Sequence, residues 1–338
     1  MKRILTAIFL LAVFDGFSQI GGASTYQFLN LVSSPRQAAL GGKVLTNVDY
    51  DVTQALTNPA AINWDMGNQL AVNYSSYLGG INYGTLAYAY NLDRHSQTVH
   101  IGATYINYGN FDGYDENGVS TGTFTGNEAA LSLGYARQIG YSDFYAGGNL
   151  KMITSKLEQY NSLGIAFDVG VMYINTDLEF NATLVVRNAG TQITTYSGTN
   201  ESLPFEVALG LSQTLENVPL RWHLTFDNLH VWPIGSPNPA RITTDLEGNQ
   251  TQEEVGFFNN VLRHMILGAE LFPNKGFNLR FGYNFRRAEE LRIEEQRNFS
   301  GLAFGVGIKI KKLRFSYTHS RFSGASNPNF FGLQIDLQ

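Results

Sequence analysis

The sequence contains no cysteine in 338 residues, so neither disulfide bonds nor thiolate metal sites hold the chain together. It also lacks long apolar runs. Beyond residue 14 no segment approaches about 18 consecutive apolar residues, which excludes a bundle of transmembrane helices. Charge is sparse too: 15% of residues are charged and the formal net charge is -5, which disfavours nucleic acid as a partner. If this chain spans a membrane, it has to do so as a β-barrel.

The abundant residues are those of strands and turns. The chain has 35 Gly, 18 Tyr and 23 Phe, whereas the strong helix formers do not dominate. At the amino terminus, Lys2 and Arg3 precede an apolar run from Ile4 to Phe14 that is too short to span a bilayer as a helix. This pattern predicts a signal peptide at 1–18, with the mature chain starting near Gln19 outside the cytoplasm.

From about Leu70 onward, apolar residues alternate with polar or small ones, which predicts strands. The run from Leu163 to Tyr173, for example, is apolar at every second residue. Most of these segments are near the ten residues that a tilted strand needs to cross a bilayer. About fourteen strands are predicted, at 69–77, 81–91, 97–108, 128–139, 142–154, 161–174, 177–187, 204–214, 218–229, 263–273, 276–287, 300–311, 313–322 and 329–338.

The two faces of these strands differ in chemistry. In a transmembrane barrel the apolar face meets lipid and the small or polar face lines the lumen. Five charged or titratable residues fall on the predicted lumen face: Arg221, His223, Asp227, Arg280 and Arg314. Aromatic residues near strand ends suit interfacial girdles or buried packing. They include Tyr88 with Tyr90, Tyr105 with Tyr108, and Phe281 with Tyr283 and Phe285.

The connections alternate between two kinds. One set is short: 93–96, 140–141, 175–176, 216–217, 273–275 and 311–312. The other set is mostly long and polar: 110–127, 188–204, 230–262 and 288–299. Short turns on one rim and long loops on the other are typical of outer-membrane barrels, whose long loops lie outside the cell. The fold class predicted is therefore all-β, a transmembrane antiparallel barrel in the outer membrane.

The segment 19–68 does not alternate. A barrel of about fourteen strands has a lumen wide enough to need filling, so we expect this segment to fold inside as a plug, or hatch. A flexible periplasmic tail is the alternative. Its candidate plug motif comprises Asp51 and the sequence Asn58-Pro59-Ala60, just before the first strand. The domain organisation predicted is a signal peptide at 1–18, a plug at 19–68 and a transmembrane barrel at 69–338.

An ordered set of motifs carries a family resemblance. The segments are GGASTYQFLNL at 21–31, RQAALGG at 36–42, NPA at 58–60, SSYLGGINYG at 75–84 and INYGNF at 106–111. Together they resemble the PorQ family of outer-membrane components of the type IX secretion system of Bacteroidetes, within the wider FadL-like barrel family. The resemblance covers the start of the chain and the early barrel, and the later loops do not match by motif.

The resemblance implies a fourteen-stranded barrel with an N-terminal plug. It also implies a place in the attachment complex that links secreted cargo to lipopolysaccharide. In that complex a protein of this family anchors a PorZ-like surface partner, while PorU performs transpeptidation and PorV shuttles cargo. The long connection 230–262 supplies candidate residues for contact with the partner. They are Trp232, Pro233, Pro237 and Pro239.

Two other functions stay open. One is a FadL-type transporter of hydrophobic small molecules, gated by the plug. The other is a soluble exported β-protein. Enzymatic chemistry is not expected, because no nucleophile elbow, Walker loop or dinucleotide fingerprint is present. Ser132 and Ser316 have no base paired with them in the sequence.

No cofactor is predicted, since the six histidines do not lie at the spacing of a helical metal site. Asp112, Asp115 and Glu116 form either a divalent-cation site or a solvated loop, and the solvated loop is favoured. A mixed-charge run at 286–297 is either a solvated rim or a contact with lipopolysaccharide or a protein.

Overall fold

The computed structural model describes residues 24–92, 97–235, 243–244, 250–251, 255–291, 299–322 and 327–337. The predicted signal peptide at 1–18 and the turn predicted at 93–96 lie outside the described residues, as do residues 19–23 at the start of the predicted plug. No helix in the described part of the chain is long and apolar enough to cross a membrane.

Fourteen strands of the described chain close into an antiparallel barrel, in which β1 pairs with β16 to complete the circle. The barrel strands are β1 Gln69–Ser76, β2 Asn82–Asn91, β3 Gln97–Tyr114, β4 Ser120–Gln138, β5 Phe144–Leu157, β6 Tyr160–Asn175, β7 Phe180–Thr194, β8 Glu206–Thr214, β9 Leu220–Phe226, β12 Met265–Leu271, β13 Phe277–Asn284, β14 Leu302–Ile310, β15 Leu313–Ser320 and β16 Asn329–Asp336. A two-stranded ribbon, β10 Thr243–Thr244 with β11 Gln250–Thr251, lies between β9 and β12.

Each of the fourteen predicted strands is a strand of this barrel, so the predicted fold class is confirmed. Connections at 139–143, 176–179, 215–219, 272–276 and 311–312 are short and share one end of the barrel, here called the short-turn rim. The opposite end, the long-loop rim, carries the longer connections 195–205, 227–264, 285–301 and 321–328 together with the short ones 77–81, 115–119 and 158–159.

Several predicted boundaries were wrong. The strand expected at 177–187 continues to Thr194, so the first part of the connection expected at 188–204 is strand. The strand expected at 276–287 ends at Asn284, whose side chain accepts a hydrogen bond from the Arg287 amide and starts helix α3, Phe285–Glu290. The connection expected at 110–127 is mostly strand, because β3 and β4 continue pairing with each other to Tyr114 and Ser120. Helix α2, Phe257–Arg263, lies within the long connection before β12.

The barrel is apolar outside and polar inside, as predicted for a transmembrane barrel. On β6, Phe167 and Val169 are 50% and 57% exposed on the outer face, whereas Asp168 between them is 1% exposed. A soluble barrel would show the reverse, because its apolar side chains gain most from leaving water. Tyr105 also faces outward, but its predicted girdle partner Tyr108 packs inside. The two are three residues apart on a strand of period two, so they face opposite sides.

Residues 24–68, called the inner segment below, run through the barrel from one rim to the other. The Thr25 amide donates to the Ser202 carbonyl on the long-loop rim, and the Asn68 amide donates to the Ala89 carbonyl near the short-turn rim. The segment contains helix α1, Pro35–Ala39, and four 3-10 helices: Gln27–Asn30, Val52–Leu56, Pro59–Ala61 and Trp64–Met66. Helix α1 packs on β13–β16, the second 3-10 helix on β1–β3, and the third on β4–β6.

Candidate functional site

The motif Asn58-Pro59-Ala60 forms a capped turn buried against the barrel wall. The Asn58 Oδ1 accepts a hydrogen bond of 2.9 Å from the Ala60 amide, which caps the 3-10 helix that Pro59 begins. The Asn58 Nδ2 donates to the Leu45 carbonyl at 2.7 Å and to Thr183 Oγ1 on β7 at 3.1 Å. Asn58 is fully buried, and its side chain therefore links the turn to the inner segment and to the wall at once.

Two glycines of the wall leave room for this turn. A Cβ at Gly147 would lie 2.3 Å from the Pro59 carbonyl oxygen, and a Cβ at Gly170 would lie 2.5 Å from Asn58 Oδ1. A larger residue at Gly147 would have to push the backbone of the turn away from β5, and one at Gly170 would displace the Asn58 side chain that caps the turn. The close contact therefore depends both on the turn of the inner segment and on the glycines of β5 and β6.

A valine at Gly147 is expected to lower the free energy of unfolding by about 1–3 kcal/mol, because it overpacks a backbone-to-backbone contact. The matched control is Gly148→Val on the same strand, where the nearest atom to an added Cβ is a backbone oxygen at 3.5 Å. Urea unfolding of the purified barrel, followed by its heat-modifiable gel mobility, measures both variants. Equal stability of the two would contradict the packing of the turn against β5.

A network of buried charges joins the inner segment to the wall between α1 and the short-turn rim. Arg36 binds Asp49 with two parallel contacts of 2.8 Å, and its Nη2 lies 2.7 Å from Glu270 Oε2 on β12. Arg280 on β13 donates to the other Glu270 oxygen at 2.7 Å, and Arg221 on β9 lies 3.4 Å from Asp49. Buried charges are tolerated when they are paired and hydrogen-bonded in this way.

Asp49 and Asp51 share Arg36, but their pKa values are shifted in opposite directions. Burial alone would raise the pKa of both carboxyl groups. In Asp49 the Arg36 charge and its hydrogen bonds outweigh burial, so the pKa lies well below its usual value. In Asp51 burial prevails and the pKa is raised, because Arg36 is 3.8 Å away and the Asp49 carboxylate is close. Stabilisation by Asp49 is therefore complete above the ordinary carboxyl pKa and is lost only as the pH falls towards its depressed value.

Asp51 also has a structural task. Its Oδ1 accepts a hydrogen bond of 3.2 Å from the Thr53 amide and so caps the 3-10 helix Val52–Leu56. The two parts of the predicted plug motif, Asp51 and Asn58-Pro59-Ala60, thus do the same work, since each starts a short helix whose residues are buried against the strands.

A second charge network lies nearer the long-loop rim. Lys43 of the inner segment pairs with Glu206 on β8 and lies 3.5 Å from Asp227. Arg187 on β7 contacts Glu206 at 2.9 Å and donates to the Leu29 carbonyl at 3.1 Å. These contacts hold the inner segment to β7 and β8, which α1 does not cover.

The lumen at the long-loop rim is filled by apolar and aromatic side chains instead. Tyr26 and Phe28 of the inner segment are 2% exposed and pack with Tyr83, Ile106 and Phe330 of the wall. The Tyr26 hydroxyl hydrogen-bonds to Ser162 Oγ on β6. The inner segment therefore fills the barrel with two unlike layers, aromatic near the long-loop rim and charged below it.

The predicted partner-contact loop is described in part. Trp232 is 50% exposed, stacks on His264 with ring centroids 5.6 Å apart, and contacts Phe257 of α2 at 5.3 Å. Phe257 and its neighbour Phe258 are 63% and 81% exposed. Pro233 is exposed beside Trp232, and Pro237 and Pro239 lie outside the described residues. Trp232, Phe257 and Phe258 are called the aromatic patch below.

The acidic residues near the tip of β3 and β4 have a local role. The Asp115 Oδ1 accepts hydrogen bonds from the Asn117 and Val119 amides at 2.9 and 2.8 Å, so it shapes the turn between the strands. Among the described residues no group of three or more His, Cys, Asp or Glu side chains could hold a metal ion.

Sequence reasoning missed the residues that hold the inner segment most firmly. Glu206 and Glu270 are completely or almost completely buried and each binds a cation of the inner segment. The available signal was an acidic residue on the inward face of an otherwise apolar strand. Arg221 and Arg280 were correctly placed on that face, but their carboxylate partners were not identified.

No protein-family model and no curated protein sequence matches the chain. Solved structures of similar fold include three that resemble it over most of their length. The Ralstonia pickettii toluene transporter TbuX has a TM-score of 0.55 at 12% identity, over 91% of this chain and 100% of that one. The TodX monoaromatic hydrocarbon channel, a deltaS2 mutant, has a TM-score of 0.54 at 13% identity, over 90% and 97%.

The third structure is a Pseudomonas aeruginosa FadL homologue, with a TM-score of 0.50 at 10% identity over 90% of this chain and 98% of that one. At such identities the likeness concerns the fold. Together with the apolar outer face, it identifies the chain as an outer-membrane type of β-barrel with the FadL-like fold.

Proposed function

We propose that this chain is a plugged outer-membrane barrel that anchors a soluble partner at the cell surface and conducts little through its lumen. The observation that carries the proposal is the ion-paired contact between the inner segment and the wall. Arg36 with Glu270 and Lys43 with Glu206 hold the inner segment to the wall, so a path for an apolar solute between segment and wall at these points would require the pairs to separate. Exposing such buried charges without their partners costs several kcal/mol.

The aromatic patch supports a binding role for the long-loop rim. Trp232, Phe257 and Phe258 are each at least 50% exposed, and their rings contact one another in sequence. Clustered exposed aromatic residues are typical of the energetic centre of protein interfaces. The partner side of the rim is taken to lie outside the cell, as in other outer-membrane barrels.

The finer assignment rests on the sequence motifs at 21–31, 36–42, 58–60, 75–84 and 106–111. They favour a component of the type IX secretion system, which holds a PorZ-like protein beside PorU and PorV where cargo is joined to lipopolysaccharide. The role of the barrel would then be to anchor the partner at the outer membrane. Deleting the gene tests this assignment, because normal surface attachment of secreted proteins in the deletion strain would contradict it.

Affinity purification from solubilised membranes tests the anchoring role. An exported, soluble protein is expected to co-purify with the tagged wild-type chain. With the double variant Trp232→Ala/Phe258→Ala, the amount of co-purified protein should fall by about tenfold or more. Truncation of a central interface aromatic commonly costs about 2 kcal/mol or more of binding free energy. The control is Phe144→Ala, an exposed phenylalanine at the short-turn end of β5, which lies four strands from β9 around the barrel. Wild-type chain that purifies alone would contradict the proposal.

Transport of hydrophobic small molecules is the second candidate. The likeness to a toluene transporter and to a monoaromatic hydrocarbon channel favours it, as does the aromatic layer around Tyr26 and Phe28. If the inner segment gates such a path, changing Asn58-Pro59-Ala60 should abolish uptake of a labelled monoaromatic compound into cells. Normal uptake in a deletion strain would count against this function.

A further inference from the structure

Strands β3 and β4 continue beyond every other strand that they touch. The ladder between β2 and β3 ends at Asn82 and Asn107, and the ladder between β4 and β5 ends at Gly126 and Leu157. Past these points β3 and β4 pair only with each other, from Asn110 with Thr125 to Tyr114 with Ser120. Residues 110–125, called the arm below, therefore form a two-stranded hairpin that rises from the long-loop rim.

Both outer edges of the arm are open beyond its base, where the Thr125 carbonyl accepts a hydrogen bond from the Glu158 amide. No described residue outside the arm forms a ladder with it, and all of its residues except Gly113 are exposed. Open edges present unpaired amide and carbonyl groups, and proteins usually protect them with lysine or proline. The arm has neither between 110 and 125. An isolated two-stranded hairpin is also only marginally stable by itself, so a third strand would stabilise the arm.

The arm carries apolar side chains without a core to bury them. Phe111 and Phe124 lie directly across from each other, with stacked rings whose centroids are 5.4 Å apart. They are 43% and 36% exposed, and Tyr114 and Val119 nearer the tip are 64% and 61% exposed. A partly exposed aromatic pair gains further stability when another molecule covers it.

The negative charge of the arm indicates which kind of molecule could bind to its open edges. Asp112, Asp115 and Glu116 are exposed, and no lysine or arginine lies between 110 and 125. A second arm would bring three further carboxylates close to these three. Anionic lipid headgroups would be repelled in the same way. A protein segment with an excess of lysine and arginine fits this charge, because complementary potentials favour association.

We propose that the arm binds an exported protein by strand addition, in which an extended segment of net positive charge pairs with one open edge. The inference rests on the anchoring function and deepens it, since it names the chemistry of the contact. Main-chain hydrogen bonds supply the pairing, the Phe111–Phe124 pair supplies apolar cover, and the three carboxylates set the preference for a basic partner.

Photocrosslinking in intact cells tests the contact. A photoreactive amino acid is placed at Tyr114 or at Thr123, one on each strand of the arm, and at Trp232 for comparison. The expected result is a crosslink from the arm to an exported protein, mapped by mass spectrometry to a segment with more Lys and Arg than Asp and Glu. Crosslinks to a second copy, to lipopolysaccharide or to an acidic or neutral segment would overturn the proposal.

Charge reversal provides the second readout. The variant Asp112→Lys/Glu116→Lys should lower the crosslink yield by about tenfold or more, because like charges across an interface are strongly unfavourable. Asp115 is kept, since it shapes the turn. The matched control is Glu201→Lys, an exposed acid on another connection of the same rim. An equal yield from reversal and control would overturn the charge argument.

A shortened arm separates this proposal from the anchoring function. Replacing residues 111–124 by Asn-Gly joins Asn110 to Thr125, which already face each other, through a turn suited to two-residue hairpins. Heat-modifiable mobility verifies that the barrel is folded. If the shortened chain keeps its partner at the wild-type level, the arm proposal fails while anchoring stands. If the wild-type chain itself retains no exported protein, both fail.

Discussion

Replacing Glu270 by glutamine is expected to lower the free energy of unfolding by about 3–5 kcal/mol. Glu270 is completely buried, and its carboxylate contacts both Arg36 and Arg280 at 2.7 Å. Glutamine keeps the shape and one oxygen, but it removes the negative charge. The guanidinium groups of Arg36 and Arg280 would then lie close together with less negative charge to balance them. Arg221, whose Nη1 lies 3.9 Å from Glu270 Oε2, adds a third positive charge.

The size of this effect follows from where the charges lie. Breaking a buried pair leaves an unpaired charge in a medium of low polarity, whereas breaking an exposed pair costs about 1 kcal/mol or less. The control is therefore Glu216→Gln, a chemically identical change at an exposed turn on the short-turn rim, for which a change within about 0.5 kcal/mol is expected. Urea unfolding in detergent or liposomes measures both variants.

A double-mutant cycle locates the effect. If Glu270 acts through Arg36, then Arg36→Gln and Glu270→Gln together should cost less than the sum of the single changes, with a coupling of about 0.5–3 kcal/mol. Additive effects would mean that Glu270 acts through Arg280 and Arg221 of the wall alone. In that case the network stabilises the barrel but does not tie the inner segment to it.

Strand number and the facing of side chains were predictable because both are local properties. A period of two is visible in consecutive residues, so each predicted strand was found and its apolar face points outward. The arm was not predicted as strand, since a hairpin exposed on all sides has no alternation to reveal it. Helices α2 and α3, of seven and six residues, are too short to show a helical period.

In the candidate site, too, local features could be predicted from the sequence and long-range contacts could not. Asn58-Pro59-Ala60 was identified by its place before the first strand and by the family resemblance, and the structure shows that Asn58 caps the short helix that Pro59 begins. The pairing of Arg36 with Glu270 joins residues 234 positions apart, and it exists only because the barrel closes around the inner segment. No local pattern encodes such a pair. Long-range charge partners required the folded chain.

An arginine in place of Val169 is expected to destabilise the barrel by about 2–4 kcal/mol when it is folded in a bilayer. Val169 lies near the middle of β6 on the outer face and is 57% exposed. If this face met water, the change would alter stability by about 0.5 kcal/mol at most, as surface substitutions usually do. A large loss arises only if the guanidinium has to enter the hydrocarbon layer, where a charge is costly.

The matched control is Val218→Arg on the turn between β8 and β9, where valine is 48% exposed at the short-turn rim. A charge at this level reaches the headgroups or water, so a change of about 0–1 kcal/mol is expected. Unfolding of both variants from liposomes, in parallel with the wild type, gives the two values. An equal loss of unfolding free energy at the two sites would contradict the membrane-spanning assignment. A clearly larger loss at Val169 would show that the apolar outer face contacts lipid.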